Sequence, residues 1–116
     1  MRSAVLTLAV MLAATTAAAQ QVYEVGNGVT APIVVKEVRP VYTPGALKAR
    51  IEGTVSLEGV VREDGTIADL KVVKPLDAEL DQQAIKALAQ WQFKPGMRNG
   101  KPVPVRITCE LRFTLK

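Results

Sequence analysis

The feature that most constrains the fold is a two-residue alternation that runs through residues 103–115. The apolar positions are Val103, Val105, Ile107, Cys109, Leu111, Phe113 and Leu115, and the positions between them are Pro104, Arg106, Thr108, Glu110, Arg112 and Thr114. Because the side chains of a strand alternate between its two faces, this pattern predicts one long strand with one face on a core and the other in water.

Upstream signals predict a short helix and a β-hairpin. Thr43 can cap a helix, and Pro44 suits its first position because the missing N–H costs nothing there, so a helix is predicted over Pro44–Ile51. From Gly53 the apolar residues recur at two-residue spacing. Asp64-Gly65 interrupts that spacing with a typical turn pair, which predicts two antiparallel strands.

Helical spacing returns over Asp77–Phe93, and Pro95-Gly96 ends it. The apolar positions of this stretch fall on one face: Leu80, Ala84, Leu88 and Trp91. Trp91 and Phe93 are therefore interpreted as core aromatics rather than as a ligand platform. Together with the last strand, the order helix, strand, strand, helix, strand predicts an α+β fold of two layers.

Residues 1–19 have the layout of a secretory signal. Arg2 supplies a positive start, residues 4–14 are apolar apart from Thr7, and alanines at 17–19 suit a signal peptidase. We predict cleavage before Gln20; a retained anchor is disfavoured because a spanning helix needs about 20 consecutive apolar residues. The predicted organisation is a signal peptide at 1–19, an extended leader at 20–37 and one domain at 38–116, with no stable membrane span after cleavage.

The charge distribution excludes nucleic acid as a partner. Lys and Arg number 15 and Asp and Glu 11, so the formal net charge is +4, and loss of Arg2 with the signal leaves +3. The positive residues are scattered among acids, and aromatic residues are few. A nucleic-acid interface would need clustered charge and aromatic stacking platforms.

The sequence offers no catalytic or metal-binding constellation. It contains no histidine, the commonest general base and metal ligand. Its single cysteine, Cys109, lies in the apolar register of the last strand, where a free cysteine behaves as a small hydrophobe. Acidic residues sit at a turn, as Asp64 does, or near a helix start, as Asp77 does, where the exposed N–H groups favour them. We therefore predict a binding module with no enzymatic activity, no cofactor and no metal.

Several short strings, each weak alone, occur in an order and spacing that resemble one family. They are Arg39-Pro40-Val41-Tyr42, Ile51-Glu52-Gly53-Thr54-Val55, Asp64-Gly65, Leu80-Asp81 with Ala84, Trp91-Gln92-Phe93-Lys94-Pro95, and Asn99-Gly100-Lys101-Pro102-Val103. Together they resemble the TonB C-terminal domain, the periplasmic end of bacterial energy transducers. The resemblance covers about residues 38–115.

The resemblance implies a fold, a location and a partner. The implied fold is α+β, a three-stranded antiparallel sheet with two helices packed on one face, and the implied location is the periplasm of a Gram-negative envelope. The implied partner is the TonB-box peptide of an outer-membrane receptor, in transport driven by the ExbB and ExbD motor complex. That peptide would pair with the edge strand at residues 103–115 and meet the segment before the first helix. The implied partner-binding residues are Arg39, Pro40, Val41, Tyr42, Arg106, Thr108, Glu110 and Arg112.

The resemblance also sets expectations about the whole protein. A complete transducer has an uncleaved transmembrane helix and a long Pro-rich spacer, so this chain is expected to act as a stand-alone soluble domain. It also carries Thr43 between Tyr42 and Pro44, where the family usually has Tyr-Pro.

Two further hypotheses stay open at this point. The same strand edge allows self-association, so the alternative function is a homodimeric scaffolding module of the cell envelope without a transport role. The β-branched run Ile33-Val34-Val35 in the leader could also pair with a free edge and compete with a guest peptide.

Overall fold

The computed structural model describes residues 21–115, so the predicted signal at 1–19 lies outside the described residues. In chain order the elements are β1 (Tyr23–Glu24), β2 (Ile33–Lys36), α1 (Pro44–Lys48), β3 (Gly53–Val61), β4 (Ile67–Lys74), α2 (Ala78–Leu88), β5 (Gln92–Lys94), β6 (Met97–Arg98), β7 (Lys101–Pro102) and β8 (Val105–Phe113). Within residues 21–115 no helix is long and apolar enough to cross a bilayer.

Four strands form the main sheet, in the order β1, β8, β3, β4. β3 lies in the middle and runs antiparallel to both β4 and β8, whereas β1 pairs with β8 in parallel. The predicted α+β class is confirmed, but the predicted count of three strands was too low. β1 could not be predicted from local sequence patterns, because Tyr23 pairs with Val105, which is far away in the sequence.

The core lies between one face of this sheet and the two helices. It contains Ala46 of α1, the apolar stripe of α2, and the inward residues of the strands; the largest fully buried side chains are Leu57, Leu80, Leu88, Val55, Val61 and Val105. Along β8 the inward side chains are buried or half-buried and the alternate ones are exposed, as the period-2 pattern predicts. Cutting Leu57 or Leu80 back to alanine would cost about 2–5 kcal/mol of unfolding free energy.

Local capping sets where both helices begin. The Thr43 hydroxyl accepts the Ala46 N–H at 3.3 Å, and an Asp77 carboxylate oxygen accepts the N–H groups of Glu79 and Leu80, each at 3.1 Å. α1 ends at Lys48, short of the predicted Ile51, because Arg50 adopts a left-handed backbone with a φ of 56°. Such a conformation cannot continue a right-handed helix.

α2 ends at Leu88, so the prediction of helical spacing through Phe93 was wrong. Residues 92–94 form β5, which pairs with β2, and the Phe93 N–H donates to the Gly65 C=O at 2.9 Å. A Cβ on Gly65 would lie 2.2 Å from the Phe93 oxygen, so the β3–β4 turn needs glycine there for close approach as well as for its φ of 85°. Phe93 is buried as expected, but through a strand.

The leader pairs with the domain at two places. β2 contains the Ile33-Val34-Val35 run and pairs with an edge, as the hypothesis has it, but that edge is β5 and not the β8 edge on which it would compete with a guest peptide. β1 takes that edge instead, over two residues. Strand propensity marked the β-branched run correctly as extended, but partner choice is decided by tertiary contacts.

Candidate partner-binding edge

β8 has one fully paired side and one mostly open side. Its inner side pairs with β3 without interruption from Val105 to Phe113. Within residues 21–115 its outer side pairs only at Val105 and Arg106, which lie beside Tyr23 and Glu24 of β1. The predicted edge at residues 103–115 is therefore corrected: β1 occupies its beginning, and the open part starts at Ile107.

Three residues of the open part direct their backbone polar groups outward. The Tyr23 N–H donates to the Pro104 C=O at 2.9 Å, so the even-numbered residues of this strand face the outer side. Because this direction alternates along a strand, Thr108, Glu110 and Arg112 also point their N–H and C=O groups outward. Within the described part of the chain, no backbone or side chain pairs with those groups.

The side chains of the same residues stand on the sheet face away from the helices. Thr108, Glu110 and Arg112 are all exposed, and among residues 21–115 none of them makes an ion pair or a side-chain hydrogen bond. Arg106 differs, since its guanidinium lies 2.9 Å from Glu24 and 3.4 Å from Glu58. Of the four residues predicted on this strand, Arg106 is thus already engaged by β1.

A shallow groove of about 190 Å³ lies beside the far part of the open edge. It is lined by Glu37, Val38, Arg39, Pro40, Trp91, Glu110, Leu111 and Arg112. The Trp91 indole N–H donates to the Val38 C=O at 2.9 Å, which holds the segment before α1 next to β8. The groove therefore has a backbone edge as one wall and a polypeptide segment as the other.

The predicted residues before α1 divide into two pairs. Arg39 and Pro40 line the groove, together with Glu110 and Arg112. Val41 is 65% exposed and lies outside the groove lining, and Tyr42 turns inward. The Tyr42 hydroxyl donates to the Ile51 C=O, and its ring meets Phe113 edge-on at 5.4 Å between centroids. Burial, followed by the charge of Glu52, raises the pKa of Tyr42, so its phenol stays protonated as a donor at neutral pH.

Sequence reasoning missed two contributors to this region. Trp91 was interpreted as pure core because it fell on a helical stripe; it is half-buried after the end of α2, and one side of it lines the groove. Glu24 carried no usable signal, because its partner Arg106 is 82 positions away. A Trp just past a helix end, next to the Pro95-Gly96 stop, was the only available hint that this aromatic leaves the stripe.

The described residues contain no cluster of His, Cys, Asp and Glu that could hold a metal. Cys109 faces the helix side of the sheet and is half-buried, and burial raises the pKa of its thiol. A raised pKa leaves little thiolate at neutral pH, which suits a structural role better than a nucleophilic one. What the edge and groove can do is hold an extended chain.

Comparison with known proteins agrees with this geometry. The profile of the family "Gram-negative bacterial TonB protein C-terminal" matches residues 38–115. Protein TonB of Vibrio cholerae is 36% identical over 85 residues, covering 72% of this chain and 35% of that protein. Protein TonB of Pseudomonas aeruginosa is 33% identical over 78 residues, covering 66% and 23%. The solution NMR structure of the Pseudomonas aeruginosa TonB CTD covers 80% of this chain and 93% of its own, with 26% identity and a TM-score of 0.59.

The matched segment is thus only about a third or less of these curated relatives. TonB proteins are a non-enzymatic, energy-transducing family, so the prediction that this chain is not an enzyme is confirmed. The fold, the profile match over most of the chain and the curated relatives agree: the chain belongs to the TonB C-terminal family.

Proposed function

We propose that residues 38–115 bind an extended peptide of an outer-membrane receptor, or of another envelope partner, by adding it as a strand to the open side of β8. The binding serves TonB-dependent transport across the cell envelope, and the domain works in the periplasm. The observation that carries this proposal is the row of outward backbone groups on Thr108, Glu110 and Arg112, which no described part of the chain pairs. An extended peptide gains its affinity from such a row.

The width of the open edge supports a short guest and modest affinity. Three residues with two outward groups each allow up to about six backbone hydrogen bonds, each worth about 1 kcal/mol net. Association costs about 4–15 kcal/mol, so the backbone bonds alone barely offset it. The groove beside Trp91 and Pro40 supplies apolar contact for the remainder. Transient binding that side-chain contacts make selective is the expected behaviour.

The residues before α1 have different roles in this proposal. Arg39 and Pro40 contact the guest from the far wall of the groove. Tyr42 does not contact the guest itself. Its hydrogen bond to Ile51 and its ring contact with Phe113 fix the position of the neighbouring segment that forms the far wall. Val41 lies outside the groove lining and contributes least.

Amide hydrogen exchange followed by NMR tests the proposal residue by residue. In the free protein the amides of Thr108, Glu110 and Arg112 should exchange fast, and those of Ile107 and Cys109 slowly, because the latter bond to β3. Peptides copied from the periplasmic N-terminal segments of outer-membrane receptors should slow the first set and leave the second unchanged. If none of these peptides protects the outward amides or shifts their resonances, strand addition at β8 is excluded.

Self-association is a second candidate function, and one observation favours it. Among the described strands β2 pairs only with β5, and on it Ile33 and Val35 are each 62% exposed. An edge strand with exposed β-branched side chains is a template for pairing with a second copy. Sedimentation velocity at rising concentration separates the candidates: a tight dimer that Val35→Lys abolishes, with no response to peptides, would favour a scaffold.

A further inference from the structure

β1 already pairs with the beginning of the β8 edge, and it shows which charge lies opposite a charged residue of that edge. Glu24 is the register partner of Arg106, and their side chains form an ion pair at 2.9 Å. Glu58 of β3 approaches the same guanidinium at 3.4 Å from the other side. Where the edge is covered, its charged residue therefore meets an opposite charge on the added strand.

The open part of the edge carries two charges that lack such partners in the described chain. Glu110 and Arg112 are two residues apart, so their exposed side chains stand on the same face. Their register partners on β3 are Ser56 and Thr54, which carry no charge. The protein's own sheet thus leaves one acid and one base unmatched, in a fixed order, beside the place where a guest strand would lie.

We propose that Glu110 and Arg112 select the guest strand by charge: the preferred peptide places a basic residue opposite Glu110 and an acidic residue opposite Arg112. In the preferred peptide, the residue between the basic and the acidic one is apolar. Its side chain points to the other face of the sheet, towards Leu111 and the Trp91 side of the groove. This inference rests on the proposed strand addition and adds a specificity to it. Directly opposed charges in neighbouring strands attract, and like charges repel.

Paired peptides of identical composition test the order of charges without changing net charge. Each peptide has seven residues, with valine at the fourth position and threonine at the first, second, sixth and seventh. One peptide has glutamate at the third position and lysine at the fifth, and the other has lysine at the third and glutamate at the fifth. We expect their dissociation constants for the wild-type protein to differ by about three- to tenfold. The identity of the tighter peptide also reports the direction in which the guest strand runs. Read from its N-terminus, an antiparallel guest lies opposite Arg112 before Glu110, so the peptide with glutamate first should bind more tightly if the guest is antiparallel. The difference should vanish in about 1 M salt, where the Debye length falls to about 3 Å.

The decisive variant exchanges the two charges, Glu110→Arg with Arg112→Glu, and should invert the preference between the two peptides. Both positions are exposed, so the fold is expected to stand, and a thermal melt checks it. The matched control exchanges two exposed charges of α2, on the helix side of the sheet, by Glu79→Lys with Lys86→Glu, and should leave the preference unchanged.

Four other outcomes would overturn the inference in distinguishable ways. If both peptides protect the outward amides and bind equally to the wild-type and exchanged proteins, strand addition is supported but selection of the guest by charge is excluded. A preference that survives the exchange would place the selecting charges elsewhere. Absence of protection by either peptide, while a receptor peptide does protect the outward amides, would overturn the charge preference alone; absence of protection by all of these peptides would overturn it together with the proposed function.

Discussion

The main sheet has two outer edges, and they differ in how far they can accept another strand. β4 is paired with β3 through a register broken twice, its Asp69 has a φ of 54°, it carries Lys71 and Lys74, and Pro75 follows at once. β8 is paired with β3 without a break, and none of its residues has a positive φ. Bulges, lysines and prolines are the means by which proteins protect an edge from pairing. The same sheet therefore protects one edge and leaves most of the other regular and open.

The difference explains why binding is expected on one side only. A guest strand needs several successive outward groups in a plane, and a bulge breaks that row. β8 offers an unbroken row beyond Arg106, with a groove beside it, whereas β4 offers an interrupted row flanked by positive charge.

The largest effect is expected from removing one outward N–H of β8. Glu110→Pro deletes a donor that points away from β3, so the sheet is retained while the row is interrupted. Peptide affinity should fall at least tenfold by isothermal titration. Glu110→Ala is the control, because it keeps the N–H and should lose only a few-fold. Equal losses in both variants would mean that the side chain, not the backbone, holds the guest.

A smaller effect is expected from unmasking the β4 edge. Lys71→Thr with Lys74→Thr removes two positive charges that repel the corresponding edge of a second copy, so concentration-dependent association should increase several-fold in sedimentation experiments. Lys71→Arg with Lys74→Arg keeps the charge and should stay like the wild type. If the threonine variant does not associate more, the broken register alone protects this edge.

The smallest effect concerns the turn from which β4 begins. One Asp64 carboxylate oxygen accepts hydrogen bonds from the Thr66 N–H at 3.0 Å and from the Thr66 hydroxyl at 2.6 Å. These two hydrogen bonds lower the pKa of Asp64 below its ordinary value of 3.8, and the bond from the hydroxyl has the larger effect. A lowered folded-state pKa stabilises the fold above the unfolded pKa, and that stabilisation is lost as pH falls through the folded value. Asp64→Ala should therefore melt slightly below the wild type at pH 7, and the gap should narrow in acid. A gap that stays constant down to pH 2 would contradict this linkage.

Much of the fold follows from patterns that lie close together in the sequence. The alternation through residues 103–115 predicted β8 and its faces, and the turn pair Asp64-Gly65 predicted the hairpin of β3 and β4. The pair Asn99-Gly100 forms a second turn, between β6 and β7. Asn99 and Gly100 both have positive φ, 52° and 76°, as a tight two-residue turn requires. Capping also placed the start of α1 at Pro44.

The errors arose where an element depends on a distant partner. The stretch after Leu88 kept a helical spacing, yet it became β5 because Gly65 and β2 offer hydrogen-bonding partners to residues 92–94. For the candidate site, the sequence predicted the last strand and the segment with Arg39 and Pro40, which line the groove, but not that β1 shortens the edge or that Trp91 lines the same groove.

Local sequence patterns are enough to predict which side chains of most strands and helices turn to the core, and where most turns and caps fall. These depend on spacings of two to four residues, which the covalent chain fixes. Which strand edges remain open depends on long-range contacts, because an edge is open or closed according to whether a segment remote in sequence comes to lie beside it. Tyr23 and Glu24 closed one end of β8, and no described segment closed the rest.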